Sequence, residues 1–198
     1  YKNHYEKNYS WFVRDFYFLI LNVIKCDSCE HNSLTFEPSN VLCLPIPKEE
    51  NITLYDCLDH YFGKDVFDEK NKWTCDKCGN VEKNYKESRL INSPETLIIV
   101  IKRFQYNRGI WSKIRETVDF PHILDISAYI VGKKKENGTY KLKAVGNHLG
   151  NLGSGHYFAY CQEDDEWFEY NDENISKIQP DKIVTNSAYT LFYEKVNV

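Results

Sequence analysis

Residues 155–172 read GHYFAYCQEDDEWFEYND, and this stretch is the most informative in the chain. Two aromatic-rich runs, 156–161 and 167–170, flank the polar residues 162–166. Aromatic residues suit pleated strands, and a short polar segment between two such runs suits a turn. The stretch therefore predicts a β-hairpin that has a histidine at the start of its first strand.

The predicted hairpin places His156 beside polar residues of its second strand. With the turn at residues 162–166, the register sets His156 opposite a residue near position 171, and directly opposed Cβ atoms lie about 5 Å apart. Asn171 or Asp172 could then accept a hydrogen bond from one imidazole nitrogen and leave the other free as a base. This is the second half of a Cys-His-Asn or Cys-His-Asp arrangement. A histidine at the start of a strand is, taken alone, more often structural.

Glycines are concentrated just before this histidine, in residues 146–155, which we predict to form a loop. Because glycine has no side chain, the loop would let a substrate backbone approach His156 closely. His148 lies in the same segment and competes as the base. Inside a loop, however, it would lack a neighbouring strand to orient it, and we therefore favour His156.

Two Cys-x-x-Cys pairs lie in the first half of the chain, Cys26 with Cys29 and Cys75 with Cys78. A two-residue spacer lets a turn direct both sulfurs to one ion, and four thiolates suit tetrahedral zinc. Gly79, directly after the second pair, favours a tight turn there. The pattern predicts one zinc ion with no open coordination position, so its role would be structural. The alternative is four free thiols with coincidental spacing.

Three further cysteines lie outside these pairs, at positions 43, 57 and 161. Free cysteine is usually a small buried apolar residue, and none of the three has the basic or helix-N-terminal surroundings of a reactive thiolate. We predict that they pack in the core. An odd total of seven cysteines, four of them in metal-type pairs, favours a reducing compartment over a disulfide framework.

The rest of the chain is rich in strand patterns. The run from Phe16 to Lys25 predicts a buried strand that leads into the first cysteine pair, and residues 96–104 (TLIIVIKRF) form the strongest strand candidate. A short helix is predicted from Leu54 to about Phe62, with Thr53 as its N-cap. Further strand candidates are residues 33–36, 41–44, 140–145 and 188–194. Few helices among many strands predict the α+β class.

Size and composition narrow the range of functions. With 198 residues, of which 42% are hydrophobic and 15% aromatic, the chain can bury a core. A net charge of −4 without a concentrated basic face counts against nucleic-acid binding. The longest apolar run, residues 16–21, is far shorter than the ~20 residues of a membrane-spanning helix. The chain contains no methionine, so we expect it to be part of a longer or processed protein.

Several separated segments have an order and spacing that agree with one known family. They are 97–104 (ending in IKRF), 118–121 (VDFP), 147–148 (NH), 155–160 (GHYFAY), 167–172 (WFEYND) and 188–193 (AYTLFY), together with the two cysteine pairs. Over roughly residues 15–194 the chain resembles the ubiquitin-specific proteases. The last three of these segments resemble the histidine box of that family, and the cysteine pairs resemble its zinc-bearing fingers.

The resemblance implies an α+β, papain-like cysteine protease fold with a palm sheet and zinc-binding fingers. It divides the chain into a lead-in segment at residues 1–14, a fingers region with the four-cysteine zinc site at 15–96, and a palm region with the histidine box at 97–198. The fingers and palm of this family cup ubiquitin, so ubiquitin and ubiquitinated proteins are the implied partners. We expect an intracellular location, in the cytoplasm or the nucleus.

By the same resemblance, His156 is the general base, Asn171 is the residue that orients it, and Asp172 is a candidate second support. The implied function is that of a deubiquitinating thiol protease. Such an enzyme hydrolyses isopeptide or peptide bonds after the C-terminal glycine of ubiquitin, through a thioester intermediate.

The chain departs from the family in one major respect. The family's cysteine box, a glycine- and asparagine-rich helix start that carries the nucleophile in the thumb lobe, is not found in this sequence. We expect an upstream segment to supply it. The main alternative is a catalytically inactive ubiquitin-binding scaffold, and a zinc-stabilised adaptor that binds no ubiquitin ranks lower. Smaller departures are Leu149, where the family commonly has an aromatic residue, and Ser154, where it often has glycine.

Overall fold

The computed structural model describes residues 10–81, 84–131 and 137–196. These residues form two β-sheets, a two-stranded ribbon, two short α-helices and two 3₁₀ turns. The α+β class predicted from the sequence is confirmed. Within these ranges, no helix has the length and apolar character needed to cross a bilayer. Residues 1–9 of the predicted lead-in lie outside the described ranges.

The smaller sheet has four antiparallel strands and carries the cysteine pairs near one end. Numbered in chain order, its strands are β1 (Phe18–Lys25), β2 (Asn32–Ser39), β4 (Asp65–Val66) and β5 (Tyr85–Leu90). Their spatial order is β2-β1-β5-β4. Because Lys25 at the end of β1 pairs with Tyr85 at the start of β5, the segments that hold the two cysteine pairs meet at this end of the sheet.

The larger sheet has eight strands and contains His156. They are β3 (Leu42–Pro45), β6 (Thr96–Lys102), β9 (Ile123–Asp125), β10 (Thr139–Gly150), β11 (Gly155–Glu163), β12 (Glu166–Asn171), β13 (Asn174–Ile178) and β14 (Ala188–Lys195). The order is β13-β12-β11-β10-β14-β6-β3, with β9 also paired to β10. All of these pairings are antiparallel except that of β3 with β6. The predicted hairpin is therefore the pair β11–β12.

A small ribbon, β7 (Phe104–Asn107) with β8 (Ile110–Lys113), projects from the end of β6. The buried Arg103 fixes its base, because this side chain donates to the backbone carbonyls of Ala188, Ile114 and Glu116. These bonds join the ribbon to the start of β14. The ribbon thus lies at the end of the large sheet where β11 begins.

Two helices complete the architecture, α1 (Trp11–Phe16) and α2 (Leu54–Phe62). The helix predicted after Thr53 is confirmed with its cap, since the Thr53 hydroxyl accepts from the backbone N–H of Asp56 and the Asp56 carboxylate accepts from that of Thr53. This reciprocal pair satisfies two N–H groups that the first turn leaves free. The buried face of α2 consists of Leu54, Cys57, Leu58 and Phe62. It joins the core cluster that includes the buried side chains of β6.

The loop predicted for residues 146–155 is wrong over its first half. Strand β10 continues through Gly150, and only residues 151–154 separate it from β11. Pairing on both sides, with β11 and with β14, maintains the strand despite its glycines. His148 consequently lies on a central strand and not in a loop.

Candidate active site and metal centre

The start of β11 and the end of β12 bring His156 and Asn171 into contact. Asn171 Oδ1 lies 2.6 Å from His156 Nε2. The register that pairs Ala159 with Tyr170 makes the two residues diagonal neighbours on one face, and not the directly opposed pair that the sequence predicted. The difference arises because the turn is only two residues long, so Glu163 already pairs with Glu166.

This contact assigns different tasks to the two nitrogens of the ring. An amide oxygen only accepts hydrogen bonds, so Nε2 of a neutral imidazole carries the proton and Nδ1 keeps its lone pair. The His156 side chain is 44% exposed and can be reached from outside the chain. Asp172 is a more distant neighbour, with its Oδ2 3.9 Å from Nε2. It lies in the turn after β12 and has a left-handed backbone conformation.

The amide of Asn171 has a second partner that sequence reasoning missed. Its Nδ2 donates to Glu169 Oε1 over 3.3 Å. Both residues lie on β12 two positions apart, and alternation along a strand places them on the same face. The period of two was the signal that could have identified Glu169.

His148 occupies a different environment, in which it is almost completely buried. Its Nδ1 lies 3.0 Å from Lys113 Nζ, which also donates to the His148 carbonyl. An ammonium group only donates, so Nδ1 must accept. Burial and the Lys113 charge lower the pKa of His148 below its usual value. The residue is therefore kept neutral by its surroundings, and its β10 position pairs with Tyr157 rather than with the His156 position.

The packing around His148 requires a glycine at position 155. A Cβ built on Gly155 would overlap Nε2 of His148 and lie 2.5 Å from the carbonyl oxygen of Leu149. No residue with a side chain fits without displacing one of them. The small residue before His156 thus lets β10 and β11 approach around the buried imidazole.

The three cysteines outside the pairs are buried or half-buried. Cys57 is buried within α2, and burial together with Asp56 raises the pKa of its thiol to about 11. Burial and Glu163 also raise the pKa of Cys161. Cys161 lies five residues after His156 on β11, and alternation along the strand places it on the opposite face. Cys43 is half-buried on β3.

The two Cys-x-x-Cys pairs converge on one point. The Sγ atoms of Cys26 and Cys78 are 3.7 Å apart, as are those of Cys29 and Cys75, and all four lie within 4.8 Å of one another. A tetrahedron with zinc–sulfur bonds of ~2.3 Å has sulfur–sulfur edges of ~3.8 Å. The cluster therefore has the size and the chemistry to bind one zinc ion. Within the described residues, it is the one group of this kind.

The two pairs have the same backbone arrangement. In the first, the N–H of Glu30 donates to the carbonyl of Cys26, and in the second that of Gly79 donates to Cys75. The N–H groups of Cys26 and Cys75 each donate to the carbonyl five residues further along the chain. We call these two turns, residues 26–31 and 75–80, the cysteine knuckles.

The knuckle backbone prepares the sulfurs for a cation. Burial raises the pKa of Cys26, but the N–H groups of Ser28 and Cys29 and the nearby thiols outweigh it and lower this pKa to about 6. For Cys29, an N–H donor from His31 lowers the pKa, but burial and the other three thiols together raise it to about 12. The N–H donors of this first knuckle thus favour thiolates, and the crowding of the thiols opposes them until a cation binds. This is the behaviour of thiols that release protons as metal binds.

Comparison with known proteins provides the family. Residues 1–193 match the sequence model described as ubiquitin carboxyl-terminal hydrolase. The chain is 36% identical to ubiquitin carboxyl-terminal hydrolase 9 of Arabidopsis thaliana over 152 residues. These residues cover 75% of this chain and 17% of the relative. It is 34% identical to a probable ubiquitin carboxyl-terminal hydrolase of Acanthamoeba polyphaga mimivirus, over 97% of this chain and 43% of the relative. The chain thus spans less than half the length of the curated relatives it matches.

Solved structures agree with the sequence matches. A SAGA DUB module of Ubp8, Sgf11, Sus1 and Sgf73 bound to monoubiquitin superposes with a TM-score of 0.82 at 28% identity, over 93% of this chain and 42% of that chain. A yeast SAGA DUB module with a mutant Sgf73 gives a TM-score of 0.87 at 27% identity, over 100% and 45%. The likeness covers both sheets and the knuckles, because it extends over the whole described chain.

Proposed function

The chain belongs to the ubiquitin carboxyl-terminal hydrolase family, and from this membership we propose that it supplies the general base and the orienting residue of a deubiquitinating thiol protease. The reaction is hydrolysis of an isopeptide or peptide bond after the C-terminal glycine of ubiquitin. The observation that carries the proposal is the 2.6 Å contact between His156 Nε2 and Asn171 Oδ1. It leaves Nδ1 free to accept a proton, as a thiol protease requires.

In this mechanism His156 transfers one proton in each half of the reaction. Nδ1 takes the proton of a cysteine thiol, and the thiolate attacks the carbonyl carbon of the ubiquitin glycine. The imidazolium then protonates the leaving amine as the carbon–nitrogen bond breaks, which leaves a thioester. In the second half, Nδ1 takes a proton from water, the hydroxide adds to the thioester, and the proton returns to the departing sulfur.

Asn171 and Asp172 support this histidine in different ways. Asn171 fixes the ring orientation and the tautomer through its neutral amide oxygen. Asp172 adds a carboxylate oxygen 3.9 Å from the same ring nitrogen, Nε2. We propose Asn171 as the main orienting residue and Asp172 as the second support.

We propose that the nucleophile lies in an upstream cysteine-box segment. Four of the seven cysteines belong to the knuckles, and burial raises the pKa values of Cys57 and Cys161. A nucleophile activated by His156 would need a low pKa and a place on the same face of the hairpin. Residues 1–14, 15–96 and 97–198 remain our proposed lead-in, fingers and palm regions.

The cysteine cluster has a structural role in this proposal. Four protein sulfurs close the coordination shell of zinc, so no position remains for water or substrate. The ion would fix the end of the four-stranded sheet, and this sheet with the palm would bind ubiquitin. The partner is carried over from the monoubiquitin-bound relative as part of the proposal.

The proposal is tested with the full-length protein and a ubiquitin probe that has a cysteine-reactive C-terminus. Peptide mass mapping would locate the adduct, and the His156→Ala variant would be compared with His60→Ala, which changes an exposed histidine of α2. We expect an adduct on an upstream cysteine that depends on His156 and not on His60. An adduct on Cys43, Cys57 or Cys161 would contradict the assignment of the nucleophile. Ubiquitin binding without any adduct would indicate the inactive scaffold instead.

A further inference from the structure

We propose that Glu169 is a positioning residue that holds the amide of Asn171 with its oxygen towards His156. The inference rests on the function proposed above and adds a residue to it. Asn171 is bonded at both ends, through Oδ1 to His156 Nε2 at 2.6 Å and through Nδ2 to Glu169 Oε1 at 3.3 Å. The three side chains therefore form one hydrogen-bonded chain on the same face of the β11–β12 hairpin.

The need for such a residue follows from the chemistry of an amide. The oxygen and the nitrogen of an asparagine side chain have nearly the same shape but opposite hydrogen-bonding character. If the amide of Asn171 were flipped, Nδ2 would face the imidazole and donate to Nε2. Nδ1 would then carry the ring proton and could not act as the base. A flip of one side chain would thus produce the wrong tautomer of His156.

Glu169 opposes this flip because an ionised carboxylate only accepts hydrogen bonds. In the observed orientation it accepts from the amide NH₂ group. In the flipped orientation it would face the amide oxygen, and two acceptors would repel each other. Glu169 therefore favours the tautomer that leaves Nδ1 free, although it does not contact the ring.

The neighbouring acidic residues are engaged elsewhere. The carboxylate of Glu163 accepts from the Tyr170 hydroxyl, and that of Glu166 pairs with Lys177. Asp172 lies beside the imidazole at 3.9 Å. Among the hydrogen bonds of the described residues, the amide NH₂ of Asn171 has Glu169 as its carboxylate partner.

An aspartate at position 171 would remove the reason for Glu169. Both oxygens of a carboxylate accept, so no orientation has to be chosen, and a second carboxylate 3.3 Å away would be an unfavourable like charge. The loss of activity on removal of Glu169 should therefore disappear or reverse when position 171 is an aspartate. A residue that only stabilised the strand would act in the same direction in both backgrounds.

The test measures kcat and KM of the full-length protein on ubiquitin with a fluorescent C-terminal amide. We expect Glu169→Ala to lower kcat about tenfold, the effect of losing one charge-assisted hydrogen bond, with KM unchanged. Glu166→Ala, on the same strand, is the matched control and should leave kcat unchanged. In the Asn171→Asp background, Glu169→Ala should leave kcat unchanged or raise it. A similar loss in both backgrounds would overturn the proposal.

A second readout separates this proposal from the proposed function. Nitrogen-15 NMR of histidine-labelled protein distinguishes the two tautomers, and the His156 signal is identified by its loss in His156→Gln. We expect the Nε2–H tautomer in the wild type and a mixture in Glu169→Ala. An inactive protein whose tautomer still depends on Glu169 would refute the hydrolase and retain the positioning role. An active enzyme in which neither kcat nor the tautomer responds to Glu169→Ala would refute the positioning role alone.

Discussion

Glu30 and Gly79 occupy the same position in the two cysteine knuckles, with backbone φ angles of 56° and 71°. Each donates its N–H to the carbonyl of the first cysteine of its pair. Glycine adopts this left-handed conformation without steric cost, whereas a residue with a Cβ is strained by roughly 1–2 kcal/mol. The two halves of one metal centre therefore differ in backbone strain.

This difference predicts that Glu30→Gly stabilises the protein. The gain in the folded state is partly offset by the greater freedom of glycine in the unfolded chain, so the net increase in unfolding free energy should be about 0.5–1 kcal/mol. Urea unfolding of the zinc-loaded protein would measure it. Gly79→Ala is the reciprocal control and should destabilise. A loss of stability in Glu30→Gly would show that its side chain makes a compensating contact.

Removal of zinc should unfold the knuckle end of the smaller sheet and spare the larger one. Binding energy at a closed four-cysteine site is folding energy, so chelation removes it where the knuckles meet. Hydrogen exchange measured before and after chelation should show a larger increase in exchange rate for the amides of β1 and β5 than for those of β10. Cys75→Ser should reproduce the effect, and Cys43→Ser, outside the cluster, should not. Unchanged protection of β1 after complete zinc removal would refute the structural role.

Replacement of His156 tests the chemistry without testing the fold. A general base typically contributes 10²- to 10⁴-fold to a rate, so His156→Ala in the full-length protein should lower kcat by about 10³-fold. The fold should be preserved, because the exposed ring is not part of the core. Ubiquitin affinity should therefore change little. Turnover and binding would be measured by substrate hydrolysis and calorimetry. A variant that loses its fold along with its activity would indicate a structural histidine.

Gly155→Ala should disturb the packing of β11 against β10. The added methyl group would overlap the imidazole of His148, and overpacking of a close contact typically costs about 1–3 kcal/mol. Thermal unfolding would detect this loss. Gly153→Ala is a matched control two residues away, where a Cβ would meet no atom within 4 Å. Equal stability of the two variants would mean that β10 and β11 can separate without cost.

The buried His148 should make stability depend on pH. Its pKa in the folded protein is lowered, so near the unfolded value of about 6.5 the unfolded chain binds a proton that the folded chain excludes. The contribution to stability is therefore complete above that pH and falls as the pH falls below it. Urea unfolding between pH 7 and 5 should show that the free energy of unfolding decreases less with falling pH in His148→Gln than in the wild type. Parallel curves would contradict this assignment.

Local patterns were sufficient to predict the hairpin, the cap of α2 and the cysteine cluster. In each case the decisive residues are close in sequence or have a chemistry that identifies their partners, as with the Thr53 cap. They were insufficient for β10, where pairing with strands on both sides outweighs the low strand preference of glycine. The polar strands β5 and β13 lacked an apolar alternation and were missed for that reason.

Contacts distant in sequence could not be predicted where, unlike in the cysteine cluster, the chemistry of a residue does not identify its partner. Lys113 and His148 are 35 residues apart, and the ribbon that carries Lys113 has no pattern that identifies its neighbour. The pairing of His156 with position 171 was predicted on the right strand but in the wrong register, because a turn of two residues was not distinguished from a longer one. The sequence thus predicted that His156 and Asn171 lie on neighbouring strands, but not the diagonal register through which they meet.

The diagonal register of β11 and β12 also bears on which length changes the protein can accept. Side chains alternate between faces, so one residue inserted or deleted within 157–163 or 166–170 would move Asn171 to the face opposite His156. The turn at Asp164 and Asp165 lies outside the paired positions and can absorb a change of length. Deletion scanning of this hairpin should thus yield active variants at the turn and inactive ones in the strands. The constraint therefore falls on the lengths of the two paired strand segments, and not on the length of the turn that joins them.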